Sequence, residues 1–138
     1  MKSKKPRLSS IEKAKNRPSI LDLKKSVWTE FTLFIKARDN NICFTCGKPG
    51  NQGGHYISSK YNNTLFDERN VNCQCVHCNI FLKGNLSIYA IKLIEKYGAG
   101  ILQELHEAHK IGKKFSHYEL IGMRAYYKQE TKKLKEDL

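Results

Sequence analysis

Two Cys-x-x-Cys pairs, Cys43/Cys46 and Cys75/Cys78, separated by 28 residues, constrain this chain more than any other feature of its sequence. Zinc takes four soft or borderline ligands in a tetrahedron, and Cys-x-x-Cys places two thiolates in one tight knuckle whose backbone amides help to neutralise them. Gly47 suits the turn that the first knuckle makes. Five cysteines leave one unpaired in any disulfide scheme, and short cysteine spacings in a reducing compartment read as metal ligation. The expectation is one structural Zn²⁺ held by Cys43, Cys46, Cys75 and Cys78, a closed shell that holds the fold and performs no chemistry. Cys73 or His77 could replace a member of the second pair, although the two-residue spacing favours Cys75 and Cys78. Cys73 otherwise reads as a small apolar strand residue alternating with Asn72 and Gln74.

Between the knuckles the chain has to leave, turn and return. Gly53 to Ile57 reads as a strand, Asn62-Asn63 as a turn, and Asn70 to Gln74 as the returning strand. Val76 to Leu82 then forms a short helix ended at Gly84, which gives a strand-strand-helix order. In such a unit Asn79, next to the anchored Cys78, starts the helix beside the hairpin and faces His55.

The flanks are helical. Leu23, Val27, Phe31, Phe34 and Ile35 form one stripe at helical period between Ser19 and Asp39, with Trp28 beside it as core, base stacking being its lesser alternative, Ser19 or Asp22 as cap, and Asp39-Asn40-Asn41 as breaker. Lys83-Gly84-Asn85 reads as a stop followed by a new cap. Leu86 to Tyr97 carries Ile88, Ile91 and Ile94 on one side, and Ile101 to His109 forms a second short helix on which His106 and His109, three apart, could ligate a metal but read as surface residues for want of further ligands at matching spacing. Ser116 to Glu119 is a capping box that opens a last helix, in which Leu120, Tyr127 and Leu134 repeat every seven residues around Met123. That repeat is too short for a coiled coil and packs by default on the chain's own core.

A chain of 138 residues fits one domain. Its net charge of +12, from 25 Lys+Arg against 13 Asp+Glu, is the footprint of a polyanionic partner. Residues 1–18 carry seven basic residues against Glu12 and read as a flexible arm that grips phosphates. No apolar run approaches the roughly 20 residues of a spanning helix, and the N-terminus lacks the apolar segment of a secretory signal, so a cytoplasmic protein without membrane contact is expected.

His55, then Asn70 shortly before a Cys-x-x-Cys, then Asn79 directly after it, resembles the pattern of the HNH or ββα-metal endonucleases in an H-N-N form. More closely, Ala-Arg-Asp at 37 to 39, Cys-x-x-Cys-Gly, Gly-His-Tyr, Glu-Arg-Asn at 68 to 70, Gln-Cys-Val-x-Cys-Asn at 74 to 79 and Gly-Asn at 84 to 85 resemble the NinG, or Rap, recombination proteins of lambdoid phages. The likeness covers roughly residues 15 to 135. It implies an α+β fold with a zinc-stapled ββα-metal core surrounded by helices, residues 19–138 forming a single nuclease domain. It also implies a structure-specific DNA endonuclease acting on branched recombination intermediates such as four-way junctions, in the host cytoplasm.

The chemistry implied by that resemblance needs a base for water and a cation for the phosphorane and the departing 3′ oxygen. His55 is placed as the base, Asn70 orients the His55 loop, and Asn79 offers an oxygen to a catalytic Mg²⁺ or Mn²⁺. Lys48, Lys60, Arg69 and Lys83 are candidate phosphate contacts. Many ββα-metal nucleases carry an aspartate immediately before the histidine, where this chain has Gly54. The missing ligand then comes from Asp67, Glu68 or His55 itself; Glu68 reads equally as an ion-pair partner of Arg69. Two strands cut by two sites favour a homodimer. The competing readings are a non-catalytic zinc-ribbon module that binds nucleic acid, and a nuclease for linear duplex.

Overall fold

A computed structural model describes Ser9 and residues 17–137. Most of the basic arm expected over residues 1–18 lies outside the described residues. Eight elements follow in order: α1 (Ile20–Arg38), β1 (Gln52–His55), α2 (Asn62–Leu65), β2 (Val71–Gln74), α3 (His77–Phe81, wound with π-type hydrogen bonds), α4 (Leu86–Tyr97), α5 (Ile101–Lys110) and α6 (His117–Glu136). This is a small mixed α+β domain with a two-stranded sheet, and no helix among the described residues is long and apolar enough to cross a membrane.

The Ser19 hydroxyl accepts the Asp22 amide at 3.0 Å and starts α1, while Asn40 and Asn41 in left-handed backbone end it. All five residues of the expected stripe are buried. They meet α6, whose capping box forms as the sequence predicts. Contacts from Pro18 to His117 and from Ser26 to Arg124 show that α1 and α6 run side by side in the same direction. Leu120 and Tyr127 are buried against α1, so the seven-residue repeat is used within the chain. Phe31 meets Phe66 and Tyr127 edge-on, at 5.6 and 4.8 Å between centroids.

The sheet is one antiparallel pair, with Gln52 opposite Gln74 and His55 opposite Val71. One face carries Val71 into the α1–α6 core, and the other lies against Tyr89 of α4. Arg38 and Asp39, from the Ala-Arg-Asp motif, join the end of α1 to β2. The guanidinium donates to the carbonyls of Glu68 and Val71 and to Asn72 Oδ1, and the Asp39 carboxylate accepts the Cys73 amide at 2.8 Å.

Three expectations are corrected. The turn at Asn62-Asn63 is the one-turn helix α2, because the Asn62 and Asn63 side chains donate to the carbonyls of Lys113 and Ala108 and draw the segment onto the C-terminal helices. The stripe Ile88, Ile91 and Ile94 faces solvent, and α4 instead buries Tyr89 and Leu93. Tyr89 turns the helix because its hydroxyl donates to the Gly54 carbonyl at 2.7 Å and accepts from Asn72 at 3.0 Å, an arrangement available only inside. Asn85 precedes α4 in left-handed backbone but makes no capping bond, and its amide meets Cys78 Sγ at 3.7 Å.

Candidate functional site

The two knuckles bring Cys43, Cys46, Cys75 and Cys78 together, with their sulfurs all within 4.8 Å of one another. Cys46 and Cys75 are 3.7 Å apart, close to the edge of a tetrahedron with Zn–S bonds of about 2.3 Å. Gly50 permits this closure, since a Cβ there would lie 2.8 Å from the Gln74 carbonyl carbon and 2.9 Å from the Cys75 amide nitrogen. The donor set and spacing fit a structural zinc ion. Burial acts against ionising the Cys43 thiol but is outweighed by hydrogen bonds from the Thr45 hydroxyl and backbone amides, which bring it down to about 6. Cys73 stands apart in β2, where burial pushes its thiol up to about 11, and His77 is exposed beside Phe81. Neither belongs to the cluster.

His55 ends β1 with its ring stacked on Trp28, 4.8 Å between centroids and 17° between planes. Its Nε2 meets the Leu65 carbonyl at 3.0 Å. Burial pushes the imidazole below its ordinary 6.5, against the opposing effect of the Leu65 hydrogen bond, so the ring is neutral at neutral pH. Asn70 is fully buried and fixes both chain segments around this ring. Its Oδ1 accepts the Ile57 amide at 2.7 Å, and its Nδ2 donates to the carbonyls of Ile57 and Thr64 at 3.1 and 3.0 Å. Asn70 therefore ties the backbone two residues after His55 to Thr64, the neighbour of Leu65, whose carbonyl meets the His55 ring.

His55 opens into a cavity of about 520 Å³ between α1 and the segment around α2. Lys24, Lys25 and Thr29 form the α1 side, and Leu65 and Phe66 form the apolar back wall. Asn79 lines a separate cavity of about 390 Å³, where its Nδ2 donates to Gln52 Oε1 at 2.8 Å and its own Oδ1 remains an available acceptor. Trp28 lines both cavities, which places its indole between the His55 opening and the Asn79 opening. His55 and Asn79 share neither a hydrogen bond nor a cavity among the described residues.

Of the two acids expected near the site, Asp67 is engaged elsewhere, whereas Glu68 is exposed and forms no ion pair among the described residues. Asp67 bonds Arg69 at 3.1 Å, and Arg69 also reaches Glu104 at 2.8 Å, so the expected Glu68–Arg69 pair is replaced by Asp67 and Glu104. Arg69, expected to meet phosphate, has its guanidinium taken up by these two carboxylates. Lys48, Lys60 and Lys83 are exposed, with Lys60 lying 5.0 Å over the Tyr61 ring. Among the described residues the four cysteines are the one group of three or more His, Cys, Asp or Glu side chains placed to share a metal ion.

Gly54 has a physical cause. A Cβ there would lie 1.8 Å from Gln74 Oε1 and 2.6 Å from Gln74 Cδ. The Gln74 carboxamide fills the space that an aspartate side chain would need, held by bonds from its Nε2 to Thr45 Oγ1 and the Gly84 carbonyl. Lys24 and Lys25 have no place in a site read from the sequence, and Trp28 has one only as the lesser alternative. Their signal was present, because Leu21, Lys24, Lys25 and Trp28 recur at i, i+3, i+4 and i+7 beside the core stripe.

Comparison with known proteins adds a family. A family model described as "NinG: Bacteriophage Lambda NinG protein" matches residues 2–137. Protein ninG of Salmonella phage P22 is 35% identical over 108 residues, which is 75% of this chain and 53% of that protein. Protein ninG of Escherichia phage 933W is 34% identical over 107 residues (74% of this chain, 53% of that protein), and protein ninG of Escherichia phage lambda is 33% identical over 107 residues (74% and 52%). This chain thus spans about half the length of the curated relatives it matches. No solved structure matches it. A family model that covers nearly every residue, together with these phage relatives, establishes that the chain belongs to the NinG family.

Proposed function

We propose that this chain is a metal-dependent DNA endonuclease with an HNH-like ββα-metal core, acting on branched recombination intermediates. The observation that carries the reading is the His55 assembly: a neutral imidazole at the end of a strand, tied through Nε2 to Leu65, with the buried Asn70 joining Ile57 to Thr64 beside it. An Nε2 proton donated to a carbonyl leaves Nδ1 as the basic nitrogen. His55 then takes the proton of the attacking water at Nδ1, and the phosphate lies at the cavity mouth against lysine charge. The excess of basic residues over the whole chain supports a polyanionic substrate.

Asn79 Oδ1, in the opening on the other side of Trp28, would offer an oxygen to Mg²⁺ or Mn²⁺, which when bound would supply charge to the phosphate and the departing 3′ oxygen. The fit is to a sparsely ligated cation. With Asp67 engaged by Arg69, the chain's own contribution to such a cation would be an amide oxygen. Two strands cut at a branch call for two copies of the chain.

The test is to incubate the zinc-loaded chain with a labelled four-way junction and with a linear duplex of the same sequence, with Mg²⁺, with Mn²⁺, or without added cation. Metal-dependent cutting of the junction in preference to the duplex is expected. Equal cutting of both removes the branched substrate. Tight binding without cutting under all conditions replaces the enzyme with a zinc-bound nucleic-acid-binding module, a reading favoured by the fact that the cysteine group alone qualifies as a metal cluster among the described residues.

A further inference from the structure

We propose that the cavity between α1 and His55 receives an unpaired nucleobase, stacked against the Trp28–His55 pair, with its flanking phosphates against Lys24 and Lys25. This rests on reading the chain as a DNA-acting protein, and it names the form of DNA that enters.

At about 520 Å³ the cavity lies within the roughly 300–1,000 Å³ of small-ligand sites. Its composition selects among occupants. A bare phosphate has no use for the apolar surface of Leu65, Phe66 and the exposed Leu21, which form much of the lining. A hydrocarbon ligand has no use for two lysines. A nucleotide matches both halves, because its base presents a flat π-face to aromatic rings and its phosphates meet ammonium groups. Lys24 is held at the rim by a 2.8 Å bond to Asn62 Oδ1, and Lys25 is exposed and forms no ion pair among the described residues. A base within duplex has its faces covered by neighbouring pairs and cannot enter, so the occupant is unpaired or turned out of the helix. Because His55 is part of the wall, the base sits beside the phosphate proposed for cutting. Strand opening at a branch then becomes a condition for engaging the site.

Trp28 is the sole tryptophan of the chain, so tryptophan emission reports on this cavity and on the Asn79 opening at the other side of the indole. The zinc-loaded full chain, without added Mg²⁺, is titrated with a short single-stranded thymidine oligonucleotide, with an abasic strand of equal length and charge, and with linear duplex. The thymidine strand is expected to change Trp28 emission and to bind roughly 5- to 150-fold more tightly than the abasic strand, the range of one base–aromatic stack. Leu21→Glu, at an exposed rim position, is expected to abolish that difference while leaving the circular dichroism of the chain unchanged. Equal affinity and equal emission change for thymidine and abasic strands overturn the proposal. So does a duplex that perturbs Trp28 as strongly as the single strand. A base-dependent response from a chain that cuts no DNA supports the cavity assignment and removes only the nuclease reading.

Discussion

Gly54→Ala isolates the contact that distinguishes this site from one with an acid before the histidine. Adding one methyl group places Cβ 1.8 Å from Gln74 Oε1, about half of an ordinary contact distance, so the carboxamide has to leave. Its departure breaks the Nε2 bonds to Thr45 Oγ1 and the Gly84 carbonyl, at 3.1 and 2.9 Å, inside a fully buried site. Each lost bond between buried groups costs about 1–2 kcal/mol, so Gly54→Ala should destabilise by about 2–4 kcal/mol. At roughly 3 °C per kcal/mol for a domain of this size, Tm falls by about 6–12 °C. In a Gln74→Ala background the obstacle is gone. There the same substitution sits in extended strand backbone and should stabilise by about 0.4–1 kcal/mol through the unfolded chain. Urea denaturation of the four zinc-loaded proteins of this double-mutant cycle measures the coupling, expected at about 3 kcal/mol with a change of sign. Additive effects, or a neutral Gly54→Ala in the wild-type background, would refute the steric account of Gly54.

Elemental analysis should find close to one zinc per chain in wild type and in Cys73→Ala, and loss of metal with loss of the folded signal in Cys46→Ser or Cys75→Ser. The single-turnover cleavage rate should be constant above neutral pH and fall on acidification, with a midpoint below 6.5, because burial lowers the His55 pKa and the neutral ring is the active form. Stability follows the same direction: the unfolded histidine binds a proton more readily than the folded one, so any His55 contribution is lost as pH falls below 6.5; a midpoint above 7 contradicts the burial argument. Arg69→Gln should leave the salt dependence of DNA binding unchanged, since Asp67 and Glu104 already hold that guanidinium, whereas Lys83→Ala should flatten the slope if Lys83 meets a phosphate.

What could be read from the sequence was whatever local chemistry determines. The α1 stripe, the Ser116 capping box and each Cys-x-x-Cys knuckle follow from residues within a few turns of one another. What escaped depended on partners distant in sequence. The sequence marked Gly54 as a gap, but its occupant, Gln74, comes from the opposing strand. Ile88, Ile91 and Ile94 made the more apolar stripe of α4, yet Tyr89 decided which side was buried because Gly54 and Asn72 satisfy its hydroxyl. Asp67 reads from the sequence as free for a metal, but the fold pairs it with Arg69, which also reaches the distant Glu104. Trp28 packs against the core as its place beside the stripe predicts, and its second role as the wall between two cavities depends on the position of His55.

The central claim is that His55 performs the chemistry, and the most direct measurement is single-turnover cleavage of a labelled four-way junction by His55→Ala beside wild type in Mg²⁺, with junction affinity measured on the same preparations. The account predicts that cutting falls by about 10²-fold or more, the usual worth of a general base, while binding is retained. Undiminished cutting by the folded, zinc-loaded variant would contradict it.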